Sequence, residues 1–218
     1  MLSRRSFLHA GLVVAIACLS GAPARAGAVT YSDYASWSAA MSGTITNVTI
    51  PDTSPDPFIY FGSGSASVTY SGVLFSTSSV LGNGYFYDVG ALIGVLSSQQ
   101  ESTGVANILT TLPGDVTGFA LNYGTFDGKS VTFTLSNGYA VTQSSSGSGY
   151  SVPDFFGITD TTPFGTVLMT SPDWVLNLNN VLYGAAGASG STIPEPATWL
   201  LLAGGLAVAG LLRRRRVN

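Results

Sequence analysis

Ser130–Gln143 reads SVTFTLSNGYAVTQ. Val131, Phe133 and Leu135 alternate with Thr132, Thr134 and Ser136, the two-residue period of a half-buried strand. Asn137-Gly138 follows, the pair preferred in a type I′ turn, and Tyr139–Gln143 returns. The stretch predicts a β-hairpin with one apolar face and one hydroxyl face. Working outward, similar short runs rich in Thr, Val, Tyr and Phe recur between Gly, Asn and Ser punctuation. They predict strands over Thr44–Ile50, Ala66–Phe75, Val116–Tyr123, Gly165–Thr170 and Trp174–Tyr183. The first element reads as a short helix, since Tyr34, Trp37 and Met41 recur at helical spacing and Ser32 with Asp33 suits a helix start. That stripe is read as core packing. Many short strands with no second helix predict an all-β domain, a β-sandwich or jelly roll with one N-terminal helix.

Both ends of the chain read as addresses. Arg4 and Arg5 form a basic region, Ala10–Leu19 is apolar, and Ala24-Arg25-Ala26 fits a small-x-small cleavage site. Residues 1–26 are therefore expected to be an export signal peptide cut between Ala26 and Gly27, with the export translocon as a partner. Ser3-Arg4-Arg5-Ser6-Phe7-Leu8 resembles the twin-arginine export motif, which carries folded cargo. An ordinary basic n-region is the other reading. At the far end come Ile193-Pro194-Glu195-Pro196, an uncharged run from Ala197 to Leu212, and Arg213, Arg214, Arg215 and Arg216. The run would make a helix of about 24 Å, which snorkelling arginines can extend toward the bilayer's roughly 30 Å core. Gly204, Gly205 and Gly210 would weaken a buried soluble helix, so a single C-terminal transmembrane helix over 197–212 is the better reading. Clustered arginines stay on the cytoplasmic side, so the residues before Ile193 face outward. The prolines hold Pro194-Glu195-Pro196 extended, the conformation a protease reads most easily.

This order of parts resembles the PEP-CTERM sorting signal of exopolysaccharide-producing Gram-negative bacteria. The resemblance covers Ile193 to Asn218. It implies recognition by an exosortase, a membrane-embedded cysteine peptidase, at or near Pro194-Glu195-Pro196, with transient inner-membrane anchoring and a final place at the cell surface or in the extracellular matrix. Many members have valine where this chain has Ile193. The region Gly118–Gly184 also resembles, loosely, the last strands of sandwich domains found ahead of such tails. The organisation expected is thus a signal peptide at 1–26, an ectodomain at 27–183, a Gly/Ser/Ala linker at 184–192 (GAAGASGST) and the sorting signal at 193–218.

Between the two addresses, residues 27–193 hold ten acids and one base, Lys129, for a net charge of −9. They hold no histidine, cysteine or arginine. A Ser-His-Asp or Cys-His nucleophile is excluded, as are thiolate or imidazole zinc sites and disulfides. Nucleic acid is excluded as a partner, because phosphate binding draws on Lys and Arg. No catalytic residue, cofactor site or metal site is assigned, and no acid pair stands out. The acidic turns Asp52–Pro57 and Asp127-Gly128-Lys129 could bind calcium, but Asp favours turns on its own account and neither matches a spaced calcium loop. A structural calcium elsewhere is possible but has no place in the sequence.

Tyr85-Phe86-Tyr87 and Phe58–Phe61 are aromatic clusters that could stack on sugars or simply fill a core. Ser144–Gly149 (SSSGSG) reads as a polar, mobile loop. The Thr-rich faces could suit ice, but no fixed-period T-x-T array is present. The expected role is structural or adhesive, beside extracellular polysaccharide, and not enzymatic. The alternative is a carbohydrate-binding module, with ice binding and glycosidase-like chemistry further behind. Exposed aromatics in a shallow groove would favour the module; a hydroxyl-rich surface would favour the structural role.

Overall fold

The computed structural model describes residues 27–51, 59–63, 65–78, 84–88, 94–100 and 105–187. Residues Ala28–Ser189 cluster as one unit. The strands are β1 (Val29–Tyr31), β2 (Thr46–Val48), β3 (Ile59–Ser63), β4 (Ser65–Tyr70), β5 (Val73–Ser78), β6 (Gly84–Asp88) and β7 (Leu96–Gln100), followed by β8 (Ala106–Thr125), β9 (Val131–Leu135), β10 (Ala140–Gln143), β11 (Asp154–Ser171) and β12 (Val175–Gly184). One helix, α1 (Tyr34–Ala39), lies among the described residues. All strand pairs are antiparallel.

Two long strands organise the fold. β8 and β11 pair along both of their halves, with register shifts around Phe164. The shifts coincide with two exposed triplets, Pro113–Asp115 and Thr161–Pro163. Proline lacks the N–H that a ladder needs, so the strands bend there. The halves on either side of the bend belong to different layers. The first layer runs β1, β11 (154–159), β8 (118–125), β12, then β2 and β7 side by side along β12, then β6 and β3. The second runs β10, β9, β11 (166–171), β8 (106–111), β5 and β4. The layers meet face to face. Phe133 of β9 stacks on Phe156 of β11 with ring centroids 3.8 Å apart, and Tyr123 of β8 meets Phe133 edge-on at 5.2 Å. The result is the expected all-β sandwich, with its main core between the layers.

The hairpin at 130–143 forms, and Val131, Phe133 and Leu135 are buried as the alternation requires. Its turn is not type I′. Gly138 N–H bonds to Leu135 O at 2.9 Å, Leu135 N–H to Tyr139 O at 2.8 Å, and only Gly138 takes a positive φ, 88°. Ser136-Asn137 thus form a type I turn, and Gly138 is the left-handed bulge of a three-residue loop. Ala66–Phe75 is two strands rather than one, β4 and β5. Ser71 and Gly72 both have positive φ (49° and 80°), the two-residue type I′ turn that the Asn-Gly signal was expected to mark elsewhere. The first element is also not the helix. β1 precedes it, too short at three residues to show any alternation.

Helix α1 begins where expected, with the Asp33 carboxylate accepting the Ser36 N–H at 2.8 Å. That bond holds the Asp33 pKa below its ordinary value.

Candidate functional site

The two outer faces of the sandwich differ. On the first layer, one end is covered by α1. Trp37 is fully buried there, donates its Nε1–H to Ile158 O at 3.2 Å, and packs with Ala120, Leu182 and Phe155. Gly157 makes room for it, since a Cβ at that position would lie 2.7 Å from the Trp37 ring. The other end is covered by the segment 144–152.

Its first part, Ser144–Gly149, was expected to be mobile, and the structure shows it tied down. Tyr123 donates its hydroxyl to Ser144 O at 2.8 Å. Ser145 Oγ accepts the Thr125 N–H at 3.2 Å and donates to Asp154 Oδ2 at 2.9 Å. Asp154 also accepts the Ser146 N–H at 2.7 Å, and Asn177 Nδ2 donates to Gly149 O at 3.1 Å. Gly124 lies so close beneath that an added Cβ would sit 2.0 Å from Ser151 O. Burial, and after it the charge of Asp154, push the Tyr123 phenol up to about 12. Composition suggested freedom because Ser and Gly are flexible alone; these bonds come from strands remote in sequence.

The second layer's outer face has no such cover among the described residues. Its register sets Ala140, Thr134, Leu168, Leu109, Ser76 and Ser67 in one row across six strands. A flanking row holds Thr142, Thr132, Thr170 and Asn107, and another Thr166, Thr111, Leu74 and Thr69. Thr132 and Thr142 share a hydroxyl–hydroxyl bond of 2.8 Å. No row contains a charged or aromatic residue. Only the hairpin part of this surface, β9 and β10, is legible in the sequence, because the rest is assembled by register between distant strands.

The aromatic clusters are brought together. β3 and β6 are neighbours at the far edge of the first layer, and Tyr60 is the register partner of Tyr87, with Ser63 opposite Tyr85. Ile59 and Tyr60 are exposed. Phe58 lies outside the described residues, as do Asp52–Pro57.

Asp127-Gly128-Lys129 is an exposed turn. The Asp127 N–H bonds to Asp173 Oδ2 at 2.7 Å, and Lys129 O accepts from Thr125 Oγ1 at 3.0 Å. Asp160 accepts from Asn137 Nδ2 and from the Thr162 N–H, both at 2.9 Å. The Asp173 and Asp160 carboxylates each hold their own turn, through the Val175 N–H at 3.3 Å and the Thr162 N–H, and tie a second turn to it. Among the described residues no group of three His, Cys, Asp or Glu side chains is placed to hold a metal.

The export signal (Arg4, Arg5, Ala24, Ala26) and the sorting signal (Pro194, Glu195, Pro196, Arg213, Arg214, Arg215, Arg216) lie outside the described residues, as does the span 197–212. No helix among the described residues is long and apolar enough to cross a membrane. The stretch expected to be linker is partly fixed. Gly184 ends β12, Ala186 N–H bonds to Thr117 Oγ1 at 2.7 Å, and Gly187 N–H bonds to Ala40 O at 2.8 Å. Ser42 Oγ donates to Ala186 O at 2.9 Å.

No curated protein matches the chain in sequence. Among solved structures it is similar to a variant of CBM29-2, a family 29 carbohydrate-binding module, at 11% identity and a TM-score of 0.35, covering 66% of this chain and 95% of that one. A second variant of the same module is similar at 14% identity and a TM-score of 0.34, covering 69% and 100%. Likeness this distant says nothing of what this chain binds. The match that bears on handling is at the other end: residues 192–216 carry the PEP-CTERM protein-sorting motif.

Proposed function

We propose that the chain is an exported cell-envelope or extracellular-matrix protein, a substrate of an exosortase-type peptidase, with a structural or adhesive role beside exopolysaccharide and no catalysis of its own. The observation that carries this reading is the PEP-CTERM motif at 192–216, which coincides with Pro194-Glu195-Pro196, the apolar run and the arginines. Physical chemistry supports it. A charge-free run of this length partitions into a bilayer, and the arginines stop it on the cytoplasmic side. The apolar run is then a handle, held while the peptidase acts and afterwards removed. Export begins at residues 1–26, by a twin-arginine or general route.

The test is fractionation of the native protein beside a Pro194-Glu195-Pro196 to Ala triple variant. The native form is expected at the surface or in the medium, and the variant in the inner membrane with its tail. Equal release of both would overturn exosortase sorting.

A second reading, a carbohydrate-binding module, draws on the pairing of Tyr60 with Tyr87 at an exposed edge. Base-line glycan affinity that survives Tyr60→Ala with Tyr87→Ala would remove its support.

A further inference from the structure

We propose that the outer face of the second layer, uncovered among the described residues, takes a neutral polysaccharide chain laid across the strands. This rests on the reading of the protein as an exported matrix component.

Charge is the first argument. Residues 27–193 carry a net −9, yet none of the three rows on this face contains an acid or a base. Of the described acids, Asp33 sits at a helix cap, Asp127, Asp160 and Asp173 at turns, Asp154 beneath the 144–152 segment, Asp115 in the exposed triplet at the bend, and Asp88 at the end of β6. An anionic polymer would be repelled by the domain as a whole. A neutral one meets no field on this face and needs no counter-ion.

Chemistry is the second. Thr and Ser hydroxyls each donate one hydrogen bond and accept two, and they rotate to suit. Neutral sugars present the same groups. Between the hydroxyls, Leu168, Leu109 and Leu74 form an apolar strip, with Leu74 38% exposed. It offers the C–H faces of a sugar ring a dry surface without an aromatic platform. Strands lie about 4.8 Å apart, so the six-membered row extends roughly 24 Å, a groove-free track for several sugar units.

Other occupants fit less well. A second copy of the chain would want a more apolar patch, since dimer interfaces run to about 65% non-polar area. Ordered water would want an unbroken threonine grid, and here Leu168, Leu109, Ala140 and Asn107 interrupt it.

The experiment is affinity electrophoresis of the full chain in mild detergent, through gels containing a neutral galactomannan or β-glucan, with alginate as the anionic comparison. Thr134→Glu, Thr142→Glu and Ser67→Glu place a charge on β9 and at both edges of the face. Thr134→Ser keeps the hydroxyl, and Ser36→Glu adds the same charge elsewhere. Thr142 and Ser67 are exposed edge positions, so those two variants fold even if a charge on β9 does not. Expected is retardation by a neutral glycan, at least about tenfold weaker in the Glu variants, the loss of one or two hydrogen bonds, and unchanged in Thr134→Ser and Ser36→Glu. The inference is overturned if no neutral glycan retards the chain, if alginate alone does, or if Thr142→Glu and Ser67→Glu bind as the native chain does. It is equally overturned if those variants instead abolish dimerisation seen by sedimentation. These outcomes leave sorting untouched, since a chain can reach the surface and still bind no glycan.

Discussion

The outer face of the first layer and the outer face of the second are made from the same two long strands, yet one is roofed and the other has no cover among the described residues. Under the roof the positions are small: Gly157 and Ala120 beneath Trp37, Gly124 beneath Ser151. On the bare face the same strands, past the bend, carry Thr166, Leu168, Thr170 and Leu109. Small residues in a strand interior forfeit packing unless another backbone or ring comes down on them. The difference teaches that a run of Gly and Ala in a strand can report a covering element far away in sequence. Hydroxyls in the same register report an open surface.

The comparison breaks most sharply at Trp37. Trp37→Ala should cost about 3–5 kcal/mol, measured by denaturant unfolding, because it empties a closed site and releases the Ile158 carbonyl. A cost near zero would mean that α1 is not a true roof. Next comes Gly124→Ala, whose methyl would collide with Ser151 O. It should cost about 1–3 kcal/mol and speed hydrogen exchange in 144–152 above all other segments.

A pH dependence sharpens the same point. The Tyr123 phenol, buried and facing Asp154, stays protonated to about 12 in the folded chain against 10.0 for a free one. Between those values the folded state holds the extra proton, so stability is full below pH 10 and falls as pH rises toward 12. In Tyr123→Phe that slope should flatten; an unchanged slope would exclude Tyr123 as its source. The smallest effect belongs to the bare face. Thr134→Val should shift unfolding by no more than about 0.5 kcal/mol, as surface changes do, and a larger loss would reveal an unseen cover.

Much of this architecture can be read from local pattern. The alternation at Val131–Leu135 marks a two-faced strand, and Asp33 marks the start of α1. Pattern fails where the determinants are distant. β8 and β11 are visible only in pieces, because the exposed triplets at Pro113–Asp115 and Thr161–Pro163 interrupt the alternation. The Ser71-Gly72 turn hides in an apparently continuous strand, since Ser rarely adopts positive φ. The 144–152 cover looks mobile because its bonds to Thr125, Asp154 and Asn177 cross the fold. The bare face is invisible until register is known. The sorting motif needs no fold, being linear, and so it is legible in full.

The roofed and bare faces matter to the cell only if the domain is delivered, and delivery rests on residues 192–216. The most direct measurement is the intact mass of the protein recovered from the cell surface or medium. The account predicts a chain that lacks residues 1–26 and lacks Arg213–Arg216, cut at or near Pro194-Glu195-Pro196. A recovered chain that still carries its arginines would contradict it, and the tail would then be a plain anchor.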